Sequence, residues 1–407
     1  MKVSQYILAG VALGSLLMGS ACKREVSSQS DIQLTRQPYI QYKNEDSVRV
    51  RWMTDQQMKT PVMQWGEEKI EAYKVEHRLG NLYEAIVPTA DGQLVSYGIF
   101  DGKEKISGDL KTNLLKNTGK SIQFFAVGDI GEATENGGFP TMLNKELSKF
   151  DGLQFGFLLG DIVYPVGASE KYDEQLFTPL AESLSKMPVF PILGNHDYGS
   201  DLDQNYFQEW AKVGNGHYYH IAKGNTQFLC LDSRNGSEGF YEFEEQKAWV
   251  EKTLKENQGK YKWTIIALHH PGKTCTYKKV SKQLISMYPI FNQYDVDLVM
   301  NGHAHTYERL NPMDAEGIPI QLENASQIND PLKDHFIAMT LGAGGKLKEG
   351  WTPEEKPCKF EGLVTKQIHA GHVGIFEING DTLTFNLATH GTDDKDAFIW
   401  VKEAITQ

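Results

Sequence analysis

The stretch Ile122-Gln-Phe-Phe-Ala-Val-Gly-Asp129-Ile-Gly131 decides the architecture. A short apolar run ends abruptly in glycine and aspartate. The same arrangement recurs along the chain. It returns as Phe155-Gly-Phe-Leu-Leu-Gly-Asp161-Ile-Val-Tyr164 and as Val189-Phe-Pro-Ile-Leu-Gly-Asn195-His196-Asp197. It returns again as Trp263-Thr-Ile-Ile-Ala-Leu-His269-His270-Pro271 and Leu298-Val-Met-Asn-Gly-His303-Ala-His305. Two further apolar runs cover 226–231 and 336–341. Runs of this length without polar alternation read as strands buried on both faces. Helical patterns lie between them at 141–150, 243–257 and 280–294. Buried strands alternating with helices predict an α/β fold with covered sheets.

Upstream the texture differs. Ser47-Val-Arg-Val-Arg-Trp-Met-Thr54 alternates apolar and polar residues. Pro88, Asp91-Gly92 and Asp101-Gly102 punctuate further short runs as turns. This pattern predicts a small β-sandwich domain over 36–117, ahead of the α/β domain over 118–407. A hairpin is predicted around Asn379-Gly380. His77 stands alone and reads as a surface residue.

The first residues carry an address. Lys2 precedes an apolar run over 6–18, which is too short to span a membrane and fits a secretory signal over 1–21. Gly19-Ser-Ala-Cys22 is similar to a bacterial lipobox, so Cys22 is expected to carry lipid. Residues 22–35 read as a polar tether. The expected location is the cell envelope, as an exported lipoprotein of the periplasm or outer membrane, with the lipid as its membrane contact. That compartment is oxidising, so cysteines can pair. Cys230 lies in an apolar run, as a buried thiol does. Cys275 and Cys358 are then the expected bridge.

Composition excludes several classes. The chain has 407 residues, 40% apolar and 23% charged, which are globular proportions. Its net charge of −12 makes it a poor candidate to coat nucleic acid, so no nucleic-acid surface is expected. With only 4 cysteines it is no disulfide-dense scaffold.

What stands at the strand ends carries the chemistry. Asp129, Asp161, Tyr164 and Asn195 are hard oxygen donors, and His269, His303 and His305 are imidazoles. No thiolate is among them, and this mixture suits iron, manganese or zinc. Singly, each residue has a structural reading: Gly-Asp after a strand makes a turn, and His-x-His packs in a core. Together they exceed the needs of one ion. They fit two ions sharing a carboxylate, the arrangement used for phosphoryl displacement.

The series Asp129-x-Gly131, Gly160-Asp161-x-x-Tyr164, Gly194-Asn195-His196-Asp197, Ile266-x-x-His269 and Gly302-His303-x-His305 resembles the metallophosphoesterase superfamily. Within it, the plant-type purple acid phosphatases are the close resemblance. Gly131 stands where most of the superfamily has a histidine ligand, and Tyr164 where protein phosphatases and nucleases usually have an aspartate. The segment Gly302-His-Ala-His-Thr-Tyr-Glu-Arg309 is similar to the plant-type members too. So is the N-terminal domain, which resembles their fibronectin-III-like module.

The resemblance implies a metallophosphoesterase-type two-sheet α/β sandwich with an N-terminal fibronectin-III-like β-sandwich. It implies that Asp129, Tyr164 and His305 hold Fe(III). Asn195, His269 and His303 would hold a second ion, Fe(II), Zn or Mn, with Asp161 bridging. Of the adjacent histidines, His269 matches the family's His-x-Pro pattern through Pro271. The implied activity is that of an acid phosphatase, in which metal-bound hydroxide attacks a small phosphorylated substrate. A phosphodiesterase or nucleotide pyrophosphatase on the same centre is the alternative, and a non-catalytic surface binding protein is the third reading. His196 is expected to protonate the leaving oxygen, oriented by Asp197. His270 is expected either to touch the phosphate or to pack beside the ligand. One departure stands out. Plant-type enzymes carry two more histidines shortly after the ligand histidine, where this chain has Tyr277-Lys278-Lys279. Lysines attract phosphate but are poor proton donors near neutrality. Glu308 and Arg309 either brace the last strand or reach substrate.

Overall fold

The computed structural model describes residues 31–89, 94–113, 121–131, 139–199, 201, 203–234 and 243–402. The predicted signal, Cys22 and most of the tether lie outside the described residues. No helix among the described residues is long and apolar enough to cross a membrane.

Strand Ile122–Val127 sits inside the first sheet, covered on both faces. Phe124 and Ala126 join the core between the two sheets, while Phe125 and Val127 join the layer beneath the helices. This is the period-2 alternation of a strand, with both faces apolar. Phe124 stacks on Phe155 and Phe376 at centroid distances of 5.3 and 4.8 Å, pairs that add to their area burial. The strand runs parallel to Phe155–Leu158, which runs parallel to Val189–Pro191. On its other side the hairpin Gly371–Asn379 and Thr382–His390 adds antiparallel strands, turning at Asn379-Gly380 as the sequence predicts.

The second sheet packs face to face on the first. Thr226–Cys230, Trp263–Ala267, Leu298–Asn301 and Ile337–Leu341 are parallel neighbours. Helix Phe243–Asn257 covers its outer face with Phe243, Gln246, Val250 and Leu254, an i, i+3, i+7, i+11 stripe. The expected helix over 280–294 is two short ones, Lys282–Ile285 and Tyr288–Gln293. Pro289 stands at the start of the second and has no N–H to extend a helix through it. Cys275 and Cys358 are joined as a disulfide, with Cα atoms 4.9 Å apart, and Cys230 is a buried free thiol.

The N-terminal strands form the expected fibronectin-III-like sandwich. Leu34–Asn44, Ser47–Thr54 and Asn81–Pro88 make one layer, and Pro61–Trp65 with Leu94–Asp101 make the other. Val50, Trp52, Met63, Tyr83 and Ile99 fill the space between them. Two details differ from the expectation. Leu34–Asn44 starts inside the segment read as tether, and it pairs in parallel with Val189–Pro191 at Gln41↔Val189. The sheet therefore continues across the domain boundary, covering what would otherwise be an open edge. Arg36 seals the junction at 2.5 Å from both Asp173 and Glu209. His77 joins them, 3.0 Å from Glu209, and its side chain has no exposed surface. It is an interface residue and not a surface one, because its partner is remote in sequence.

Candidate metal centre

The strand ends converge. The first sheet contributes Asp129, Asp161, Tyr164 and Asn195, and the second contributes His269, His303 and His305, so the cluster lies where the carboxyl edges of two sheets meet. Across that seam His269 Nε2 is 3.2 Å from Asp161 Oδ2, and His305 Nε2 is 3.3 Å from Asp129 Oδ1. The Tyr164 hydroxyl lies 2.9 Å from Asp129 Oδ1, 3.3 Å from Asp161 Oδ2 and 3.4 Å from His305 Nε2. Asp129, Asp161 and His269 form one group of donors close enough to share an ion, and His269, His270 and His303 form another.

The backbone is bent to make this possible. Asp129, Asp161 and His303 adopt φ of 54°, 50° and 68°, a left-handed conformation that non-glycine residues hold only when their surroundings enforce it. The enforcement is visible. His303 N donates to Asp129 Oδ2 and His196 N donates to Asp161 Oδ1, each at 2.7 Å. Gly194 must be glycine, because a Cβ there would lie 2.2 Å from Asp161 N. Gly131 is equally constrained: its Cβ would meet Gln175 Oε1 at 2.5 Å and Tyr164 Cδ2 at 2.9 Å. The phenol ring occupies the space that a histidine at 131 would need.

Three buried polar atoms of this cluster have no hydrogen-bond partner: Asn195 Oδ1, His269 Nε2 and His303 Nδ1. His269 Nδ1 is satisfied, donating to the Leu159 carbonyl at 2.7 Å, which orients the ring so that Nε2 faces Asp161 and the cluster. Burial pulls the His269 ring down, but the Asp161 carboxylate outweighs this and holds it up to about 9. Burial lowers His270 to about 3, with the charge on His269 adding to the effect. Tyr164 is pushed far above the usual phenol range by burial and by Asp129 and Asp161.

Asp197 does not orient His196. Its two carboxylate oxygens accept from the backbone N–H of Asp161, Gly194 and Ile162 at 2.7, 2.8 and 2.9 Å. A buried carboxylate next to unpaired loop amides satisfies them first, so it ties two donor loops together. The carbonyl of Pro165 holds His196 instead, through Nδ1. That leaves His196 Nε2 3.9 Å from Asp161 Oδ2. Glu308 and Arg309 brace the strand: buried Glu308 accepts from Thr274 and Cys275, and Arg309 grips both oxygens of Asp396.

Some supporting residues have no mark in the sequence. Gln175 clamps Tyr164 by accepting from its N–H at 2.8 Å and donating to its carbonyl at 2.9 Å. The Tyr277 hydroxyl accepts from His305 N at 2.9 Å. Ser233 Oγ lies 2.8 Å from His270 Nδ1 and accepts from its backbone N–H. These are long-range pairings to backbone, which no local motif encodes. The lysines converge as well. Lys346 Nζ lies 4.1 Å from the centre of the Tyr164 ring, and Lys278 and Lys348 lie over Tyr277 at 5.4 and 5.5 Å.

A calcineurin-like phosphoesterase domain matches residues 122–307, a segment containing every donor named above. Among characterised relatives, a purple acid phosphatase of Ipomoea batatas is 25% identical over 64% of this chain and 57% of its own length. One of Glycine max is 26% identical over 68% of this chain and 66% of its own. The chain thus spans little more than half the length of the former. The structure of a purple acid phosphatase from yellow lupin seeds superposes with a TM-score of 0.73 at 17% identity, covering 90% of this chain and 74% of that one. By class, then, the chain carries a metallophosphoesterase fold and domain. Within that class, both relatives named above are purple acid phosphatases, each similar to this chain at about a quarter identity.

Proposed function

We propose that the chain is a metal-dependent phosphomonoesterase of the purple acid phosphatase type. One observation carries the reading: Asn195 Oδ1, His269 Nε2 and His303 Nδ1 are buried without partners, beside the Asp129–Asp161–Tyr164 cluster. An unsatisfied buried polar group costs about 1–3 kcal/mol, and three such groups side by side call for a ligand that accepts lone pairs. A cation does that for all three. The donor set, nitrogen and oxygen without sulfur, fits two transition-metal ions. In this reading Asp129, Tyr164 and His305 hold ferric iron. Asn195, His269 and His303 hold iron, zinc or manganese, and Asp161 is shared.

Two such ions would supply positive charge for the phosphoryl oxygens and acidify a coordinated water. The protein residues do the rest. Asp197 and Gln175 hold the donor loops rigid, so little reorganisation accompanies the reaction. His196, with Nδ1 engaged by Pro165, presents Nε2 toward the cluster and delivers a proton to the departing oxygen. His270 is half-buried, bonded to Ser233 beside His303, and forms a wall of the site. The substrate is a small phosphorylated molecule. Phosphodiester cleavage is the second reading, since such a centre serves both reactions. Phenyl phosphate and bis-phenyl phosphate share a leaving group, and kcat/KM for the monoester should be the larger by at least tenfold. A preference for the diester would replace the monoesterase reading with the second one.

The same proposal places the protein at the cell envelope, on a lipid attached to Cys22. Acyl chains contribute about 0.8 kcal/mol per buried CH₂, and stable anchoring takes more than one chain, as a diacylated cysteine provides. Cys22→Ser with a cleavable signal should move the protein from the membrane to the soluble fraction with its activity intact. Membrane retention after complete signal cleavage would show a different anchor.

A further inference from the structure

Next to Asn195, His270 and His303 a cleft of about 540 Å³ opens onto the surface. That is room for a molecule much larger than a phosphate group. Its lining is unusual for a chain of net charge −12. Arg234, Lys279 and Lys282 stand in its wall, and no carboxylate is among the described lining residues. Arg234 is held in place, its guanidinium 4.3 Å from the centre of the Tyr198 ring and its backbone N donating to Asp232 Oδ1. Lys278, next in the chain to Lys279, lies over the Tyr277 ring at 5.4 Å.

We propose that this cleft binds a second phosphate group of the substrate, so that the preferred substrates are phosphomonoesters whose alcohol portion is itself phosphorylated. The inference rests on the phosphatase reading above and adds its substrate class. A concave site lined by one sign of charge concentrates ligands of the opposite sign and lowers KM for them. The cleft adjoins the scissile site directly, because Asn195, His270 and His303 belong to both. A phosphate on the leaving alcohol would therefore reach Arg234, Lys279 and Lys282 while the first phosphate sits at the centre.

The test compares propyl phosphate with propane-1,3-diyl bisphosphate on the full metal-loaded chain. The native enzyme should favour the bisphosphate in kcat/KM by at least tenfold at low ionic strength, mainly through KM. Lys279→Gln/Lys282→Gln changes two exposed side chains, so the fold is not at risk. It should lower kcat/KM for the bisphosphate at least fivefold more than for propyl phosphate. Equal values for the two substrates in the native enzyme, or equal losses in the variant, would overturn the proposal. Calorimetric binding of both compounds to the metal-loaded His196→Ala protein gives a readout independent of turnover. Tighter binding of the bisphosphate that the lysine substitutions abolish supports the cleft assignment, even if neither compound is hydrolysed and the phosphatase reading fails. Equal affinities would refute the assignment even if both are hydrolysed.

Discussion

Asp161→Asn should reduce kcat by about 10³-fold or more and leave the protein folded with fewer than two metal ions per chain. Asp161 is nearly fully buried, between His269 Nε2 at 3.2 Å and the Tyr164 hydroxyl at 3.3 Å, so both proposed ion sites depend on it. Burial opposes its ionisation, but the His269 and His196 rings and the His196 N–H hold the carboxyl well below the usual range. Removing a charge shared by two cations costs several kcal/mol of transition-state stabilisation, and each 1.36 kcal/mol is about tenfold in rate. The substitution is chosen for its backbone. Asp161 has φ of 50°, and asparagine is the residue other than glycine that tolerates that region best. The amide oxygen of the substituted side chain can still accept from His196 N, so melting of the metal-free variant should barely differ from that of the metal-free native chain. Near-native activity with full metal content would remove Asp161 from the centre.

His196→Ala should keep both metals and yet lose activity in proportion to the leaving group's need for a proton. A positioned general acid contributes about 10²–10⁴-fold. The loss should approach the middle of that range on alkyl phosphates and fall below about tenfold on 4-nitrophenyl phosphate, whose leaving group departs as a stable anion. The ring is partly exposed and makes one anchoring bond to Pro165, so its removal leaves the core intact. Its backbone N–H, which supports Asp161, survives the change. Equal losses on both substrates would assign His196 to phosphate binding instead of proton transfer.

The five strand-end motifs were legible because each is local: an apolar run, then a glycine, then a donor. The tight turn and the buried strand are both encoded within a few residues. The helix Phe243–Asn257 and the Asn379-Gly380 hairpin were legible for the same reason. What escaped is long-range. Nothing near Val189 announces that Leu34–Asn44 will pair with it, nor does His77 announce Glu209. Tyr307–Leu310 is a fully buried strand that reads as charged, because Glu308 and Arg309 find partners at Thr274, Gln367 and Asp396, all distant in sequence. Asp197 misled for a related reason. Its position beside His196 suggested a side-chain pair, whereas the unpaired amides of two converging loops claimed both its oxygens. The departure at Tyr277-Lys278-Lys279 was legible as a departure. Its meaning came only from the geometry, which puts the Tyr277 hydroxyl under His305 N, Lys278 over the Tyr277 ring and Lys279 in the cleft wall.

The central claim is that these strand ends hold two metal ions, one of them ferric iron on Tyr164. Elemental analysis of the purified protein, read together with its visible absorption spectrum, tests this most directly. The account predicts two metal ions per chain with at least one iron, and a broad visible band in the oxidised protein. Tyr164→Phe should abolish the band, and chelation should remove the activity along with the metals. A colourless protein that remains fully active with no iron, or with no metal at all, would contradict it.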